Sequence, residues 1–470
     1  MRPRATLIQS VPAILLIAAL AGSGTAGAAP RALSIGPNVN VSKMTGNQSE
    51  TTVAINPTNP SNVVIVSNIE SGSGLFKAFS TDGGATWTAE VIADGDALGF
   101  ACCDPSAAFD AFGNLFLIYL NSSVNHVLAA ISTDGGAMFA PLATISTSAA
   151  PPVSGGGIPS KASSPDQPTV TTGPGSVWVT WKEFAIAGTP IRARGAMVTG
   201  LGVVGAFSPA ESAPGSGGGS FGDIAVGPAG QVLVTYQDPT SGQGPATIRA
   251  NLDPDGFGPA GFGSAVAVTT TNVGGFDFIP AQSGRSVDAE AGLAYDRSGG
   301  PRNGRVYLVY TDETVNENND TEIFVRFSDD DGATWTSPVR VNNDSTTNSQ
   351  FNPKIALDQT TGRIAVSWYD CRADLGAGGG GDTNGIPNDD ARMFAAVSAN
   401  GSTFGPNKRL SNTSNAADAA NGIDFGDYIG LAFQGGVFQP AWADNSNSTH
   451  DNPDGRLHEF DIYTVRVTVT

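Results

Sequence analysis

Residues 80–87 read Ser80-Thr81-Asp82-Gly83-Gly84-Ala85-Thr86-Trp87, and residues 328–335 read Ser328-Asp329-Asp330-Asp331-Gly332-Ala333-Thr334-Trp335. A third copy, Ser132-Thr133-Asp134-Gly135-Gly136-Ala137-Met138-Phe139, has an altered end, and Ser398-Ala399-Asn400-Gly401-Ser402-Thr403-Phe404 is a shortened fourth. The physics of this stretch is local. A carboxylate at its third place can accept backbone N–H groups within a tight turn, and the glycines permit positive φ. The aromatic at its end can then drop into the gap between neighbouring strands. Each copy follows a short apolar segment with period-2 alternation, the signature of a strand.

Working outward from these turns, a longer unit recurs seven times. A polar or acidic residue is followed by an apolar strand, a turn containing Gly or Asn, and a second apolar strand that often ends in an aromatic. Glu50, Asp104, Asp166, Asp223, Asp288, Asn352 and Asp427 begin the seven copies. Equivalent positions inside them are Ala54, Ala108, Thr171, Ala225, Ala294, Ala356 and Ala432, spaced by 54, 63, 54, 69, 62 and 76 residues. A third strand, a tight turn and a fourth strand complete the unit. Four strands per repeat with no helical stretch predict an all-β chain, a β-propeller of seven four-stranded blades, with six blades as the alternative. One blade cannot bury both its faces, so the blades must stack in a ring. The last repeat ends after its third strand, and residues 36–42 (GPNVNVS) resemble the fourth-strand segment 405–411 (GPNKRLS). Residues 39–42 are therefore expected to close the seventh blade and remove an open edge.

The four turns resemble the Asp-box, or bacterial neuraminidase repeat, of the sialidase superfamily, and the resemblance spans residues 29–470 as a single domain. It implies a sialidase-like propeller with its Asp-boxes on the face opposite the active site, so that Asp82, Asp134 and Asp330 serve the fold. It also implies a carbohydrate-active protein, a glycoside hydrolase of exo-α-sialidase type acting on extracellular glycans or sialoglycoconjugates. A non-catalytic glycan- or protein-binding propeller, stabilised by calcium, is the alternative, because fold alone does not decide chemistry.

If the first strand starts at the top face, the heads of the first strands and the ends of the second strands share that face. It would collect Glu50, Asp104, Asp166, Asp223, Asp288, Glu290 and Asp427 from strand heads, and Glu183, Asp238, Asp312, Glu313, Asp370 and Asp444 from strand ends. Such a ring would attract cations or polar sugars and raise some carboxyl pKa values. The structural reading is that these acids cap strands. Sialidases hold the substrate carboxylate with three arginines and use a Tyr–Glu pair with an aspartic acid. The resemblance implies Arg285, Arg372 and Asp370 as substrate-binding, and Tyr428, Glu290, Asp288 and Asp104 as catalytic. No arginine lies between Arg31 and Arg192, so the first two blades bring no guanidinium.

Long acidic loops follow the second strands of the last three repeats. Hard cations need several oxygens on such a loop, which makes Asp382, Asn384, Asp389 and Asp390 candidate calcium ligands. None of these loops matches the EF-hand spacing. No cofactor is required by the resemblance. Cys102, Cys103 and Cys371 are all expected on the top face, either as a bridge across the opening or as a vicinal 102–103 disulfide with one free thiol. His126, His450 and His458 give no thiolate-activating arrangement.

The chain has 470 residues, with 24 Lys+Arg against 43 Asp+Glu and a formal charge of −19. That balance argues against nucleic acid and anionic membranes as partners. The 60 glycines and 30 prolines fit short strands joined by many turns. Arg2 and Arg4, the apolar run 11–21 and the small residues 26–28 read as a signal peptide over residues 1–28, and hence a secreted or periplasmic protein. No later run is long enough to span a membrane, and a monomer is expected.

Overall fold

In the computed structural model, residues 32–70, 74–146, 164–184, 191–416 and 425–470 are described. The leader read at 1–28 lies outside them. The described chain contains no helix and forms a seven-bladed β-propeller of antiparallel sheets. The innermost strands, in chain order, are Gln48–Ile55, Gly99–Phe109, Ser164–Gly173, Ile224–Val226, Gly292–Tyr295, Gln350–Asp358 and Gly430–Gln434. Each abuts the next around the axis, and the last returns to the first. The second strands are the most apolar: all seven residues of Val63–Ile69 are buried. They fill the layers between blades, which is why these runs carry Val, Ile, Leu and Trp without full alternation.

The ring closes as the repeat arithmetic requires. Leu33–Asn40 pairs antiparallel with Asp461–Val469 as the outer strand of the seventh blade, a few residues upstream of the expected 39–42. The Val41 N–H still reaches the Ile462 carbonyl at 2.7 Å. Asp461 locks the joint by accepting from Asn40 Nδ2 (2.6 Å) and Ser42 Oγ (2.9 Å).

The Ser-x-Asp turns close through their own side chains. Asp82 Oδ1 accepts from Ser80 Oγ at 2.8 Å and from the Ala85 and Thr86 N–H groups at 3.0 and 2.9 Å. With the Thr86 hydroxyl on its other oxygen, Asp82 is pulled down to about 2. Asp330 repeats the pattern, and Trp87 and Trp335 each donate the indole N–H to a glycine carbonyl at 3.0 Å. These turns also join blades. A Cβ added at Gly136 would lie 2.5 Å from Val64 of the preceding blade, and one at Gly401 would lie 2.6 Å from Tyr307 of the preceding blade. Glycine is thus needed both for positive φ (90° and 77°) and for close approach.

One feature repeats at the heads of the inner strands. Four residues before the aligned position of each blade stand Glu50, Asp104, Gln167, Phe221, Glu290 and Asn352, with φ of 54°, 56°, 42°, 45°, 45° and 47°. None is glycine, and a left-handed L-residue costs about 1–2 kcal/mol. The seventh blade instead uses Gly426 at 78°, two residues before its Tyr428. In four blades the strand register slips across this residue, so the kink is a bulge that interrupts pairing at the top of the channel.

Candidate functional site

Five of the kinked residues, Glu50, Asp104, Gln167, Phe221 and Glu290, line two adjoining cavities. The first, about 210 Å³, is the mouth of the central channel. All seven blades line it, with Gln167, Phe221, Asp223, Glu290, Lys354 and Tyr428 among its polar and aromatic groups. The second, about 480 Å³, lies over the first two blades and is lined by Glu50, Asn68, Glu70, Cys102, Cys103, Asp104, Asp166, Arg285 and Asp427. Strand heads and second-strand ends therefore do share one face.

Arg285 is the one cation among the described residues lining the second cavity. It comes from a hairpin, Asp277–Ile279 with Gln282–Val287, inserted between the fourth and fifth blades. Its Nε donates to Asp427 Oδ1 at 2.8 Å and its Nη2 to Asp427 Oδ2 at 3.0 Å and to Glu50. Gln282 fixes the hairpin by donating to the Gly426 carbonyl (2.9 Å) and accepting from the Phe425 N–H (2.8 Å). Arg285 thus ties the hairpin before the fifth blade to the first and seventh blades across the mouth. Asn68 carries the network onward, donating to Glu50 and accepting from the Asp104 N–H at 2.9 Å. The Gln167 N–H is shared by Asp104 Oδ2 and Asp166 Oδ1, each at 3.1 Å.

Crowding these carboxyls out of water shifts their protonation. Burial, then Asp166 and Asp427, pushes Asp104 up to about 8. Burial also raises Glu290 to about 8, with Lys354 opposing and Asp427 and Asp223 adding. Glu50 is raised well above its ordinary value by burial and Asp427, despite Arg285. Asp288 is raised by burial and Glu290, and Asp166 by burial and Asp427. Tyr428 is raised by burial and then by Asp104 and Glu50. Burial alone would lower Arg285, but Glu50 and Asp427 hold its guanidinium charged. Near neutral pH the mouth therefore holds protonated carboxyls beside an arginine already shared by Glu50 and Asp427.

Of the residues singled out from sequence, the structure brings Asp104 and Arg285 into one cavity and Glu290 and Tyr428 into the adjoining one. Asp288 lines a small recess with Phe221, Phe276 and Asp427 and caps the Glu290 N–H at 2.6 Å. Arg372 and Asp370 stand apart from Arg285. The Arg372 guanidinium grips Asp370 with two bonds of 2.8 and 2.6 Å, bonds Asn343 and Asn407, and stacks 4.5 Å over Phe394. Asp370 also accepts the Trp368 indole N–H at 2.8 Å. Glu183 and Asp444 do the same for Trp181 and Trp442, at 2.7 and 2.9 Å, so three of the strand-end acids are caps. Cys102 and Cys103 form a vicinal disulfide in the cavity wall. Cys371 takes no part in a disulfide, which corrects the bridge across the opening: it is a free thiol packed in the core between the sixth and seventh blades. Sequence reasoning missed Asn68, Glu70, Gln167 and Lys354. The position four before the aligned residue would have found Gln167, while the others carry no local signal.

No protein-family model matches the sequence, and no curated protein does. Among solved structures, a protein of unknown function from Dyadobacter fermentans DSM 18053 is similar in fold at 12% identity and TM-score 0.47, over 93% of this chain and 99% of that one. An α-L-arabinofuranosidase of Fusarium graminearum is similar at 12% identity and TM-score 0.47, over 71% and 92%. The endosialidase of phage phi92 is similar at 11% identity and TM-score 0.45, over 93% and 69%. Among the described residues no helix is long and apolar enough to cross a membrane.

Proposed function

We propose that this chain is an exported, carbohydrate-active propeller of exo-glycosidase type, acting on extracellular glycans at the mouth of the channel. The observation that carries this reading is the 480 Å³ cavity in which Asp104, held protonated to about pH 8, stands among the acidic side chains around Arg285. A carboxyl that keeps its proton near neutral pH is the acid half of glycoside cleavage, and Asp104 is the proton donor to the leaving oxygen. Uncharged sugars are favoured over sialic acid. The single guanidinium among the described residues of the cavity is already shared by Glu50 and Asp427, so a substrate carboxylate would have to compete for it rather than enter an arginine clamp. The leader-like residues 1–28 and the Cys102–Cys103 disulfide support export to an oxidising compartment.

The test is hydrolysis of fluorogenic neutral glycosides and a fluorogenic sialoside by the mature chain, with Asp104→Asn alongside. Turnover of a neutral glycoside is expected to fall as pH rises through about 8, and to drop by about 10²–10⁴ in the variant. Turnover that Asp104→Asn leaves intact would overturn the assignment of the acid. Turnover of the sialoside alone would overturn the substrate class. Saturable glycan binding without turnover would make the propeller a lectin-like binder.

A further inference from the structure

Away from the mouth, the long loop after the second strand of the sixth blade folds back on itself through three aspartates. Asp374, Asp389 and Asp390 each offer a carboxylate oxygen within 4.8 Å of the other two, and all three are buried. No lysine or arginine forms an ion pair with any of them among the described residues. Two of the three are well supplied with donors. Asp374 Oδ2 accepts the Asp389 and Asp390 N–H groups at 2.8 and 3.0 Å, and Oδ1 accepts the Gly376 N–H at 3.2 Å. Asp390 accepts from the Thr383 hydroxyl (2.6 Å), the Thr383 N–H and Asn415 Nδ2 (2.9 Å). Asp389 differs. Its Oδ2 takes Asn384 Nδ2 at 2.9 Å, but its Oδ1, on a residue only 2% exposed, has no hydrogen-bond partner.

An acceptor buried without a donor, beside two like-charged groups, is a costly arrangement for a protein alone. A cation removes both costs together. We propose that Asp374, Asp389 and Asp390 form a calcium site that fastens the loop of residues 371–390 to the sixth and seventh blades. The ligand atoms of all three residues are hard carboxylate oxygens, which suit calcium. Calcium bonds oxygen at about 2.3–2.6 Å, so two of its ligands span up to about 5 Å, as these oxygens do. Magnesium, which gives up its waters reluctantly, suits a buried pocket less well. The expected ligand set Asp382, Asn384, Asp389 and Asp390 is thereby redrawn. The Asp382 side chain is spent on the Gly378, Asn384 and Gly385 N–H groups of an exposed turn, and Asn384 Oδ1 accepts the Ile386 N–H. Asp374, which had not been singled out, supplies the third carboxylate.

The experiment is calcium and magnesium titration of the chelator-stripped mature chain, read by calorimetry and thermal unfolding, with digestion by a nonspecific protease in parallel. One tight calcium per chain is expected, with a Tm rise of about 3 °C or more at saturation and protection of the 371–390 loop from cleavage. Asp389→Asn should lose that binding, and Asp382→Asn should keep it. Should Asp389→Asn fail to fold, the protection of the loop in the unmutated chain decides. Cleavage of that loop at the same rate with and without calcium would overturn the proposal, as would equal binding by Asp389→Asn.

Discussion

The strained residues of this propeller are also its chemical ones. Glu50, Asp104 and Glu290 hold left-handed φ at the heads of inner strands, and burial keeps each of them protonated well above the usual carboxylate range. Left-handed backbone at the channel mouth is paid for by the blades beneath it, which fix the strand on both sides of the kink. The protonation has a consequence for stability. The folded state keeps protons on Asp104 and Glu290 until about pH 8, whereas the unfolded chain releases them near pH 4. Their contribution is therefore full below about pH 4 and is lost as pH rises to about 8. Thermal unfolding should show a lower Tm at about pH 8.5 than at about pH 5.5, and Asp104→Asn, which cannot ionise, should narrow the gap. A wild-type Tm that is flat or rising over that range would contradict the burial of these groups. The acids themselves were legible, since each stands at the head of an apolar run. Their φ values and protonation were not, because both follow from which blade lies beside them.

At the scale of elements, the quoted turn does two jobs that its sequence encodes at different ranges. The Ser–Asp–Thr hydrogen bonds close within six residues and could be read directly. The docking of the turn on the preceding blade could not. Gly136 meets Val64, 72 positions earlier in numbering, and Asn62 reaches the Gly135 carbonyl at 2.8 Å across the same boundary. Lys77, fully buried, adds bonds of 3.0 and 2.9 Å to the Gly136 and Ala137 carbonyls. Gly136→Ala must tolerate a positive φ and push Val64 aside, so it should destabilise by about 2–4 kcal/mol, measured by denaturant unfolding. Gly135→Ala meets the polar Asn62 side chain instead and breaks its bond to the neighbouring turn. The three Trp-x-acid pairs make the same point from the other face: Trp181, Trp368 and Trp442 convert three of the acids at strand ends into caps.

For the whole molecule, closure is the organising fact. The seventh blade borrows its outer strand from residues 33–40, so the ring is sealed by about 420 residues of sequence separation at Asn40–Asp461 and Ser42–Asp461. A chain starting at residue 41 would leave Asp461–Val469 as a bare edge. It should melt at least about 5 °C below a chain starting at residue 29 or aggregate, seen by circular dichroism and size-exclusion chromatography. Melting within about 1 °C of that longer chain would show that the strand adds little. The same closure makes the mouth. Arg285 meets Glu50 and Asp427 only because the hairpin before the fifth blade and the seventh and first blades surround one axis.

The sequence by itself determined the all-β class, the seven repeats, the turns and the strand that closes the ring, because each is written in short-range pattern: alternation, glycine placement and spacing. It also put Glu50, Asp104, Asp166, Asp223, Glu290 and Asp427 at the heads of first strands, the ends that line the channel mouth. Only the tertiary structure decided how those groups pair. It set Arg285 between Glu50 and Asp427, sent Arg372 to Asp370 and Phe394, joined Cys102 to Cys103 and left Cys371 in the core. It also placed Asp374 beside Asp389 and Asp390. These are contacts between groups far apart in the chain or turned by loop geometry. The energy that selects them, desolvation set against charge pairing, exists only once the blades have excluded water.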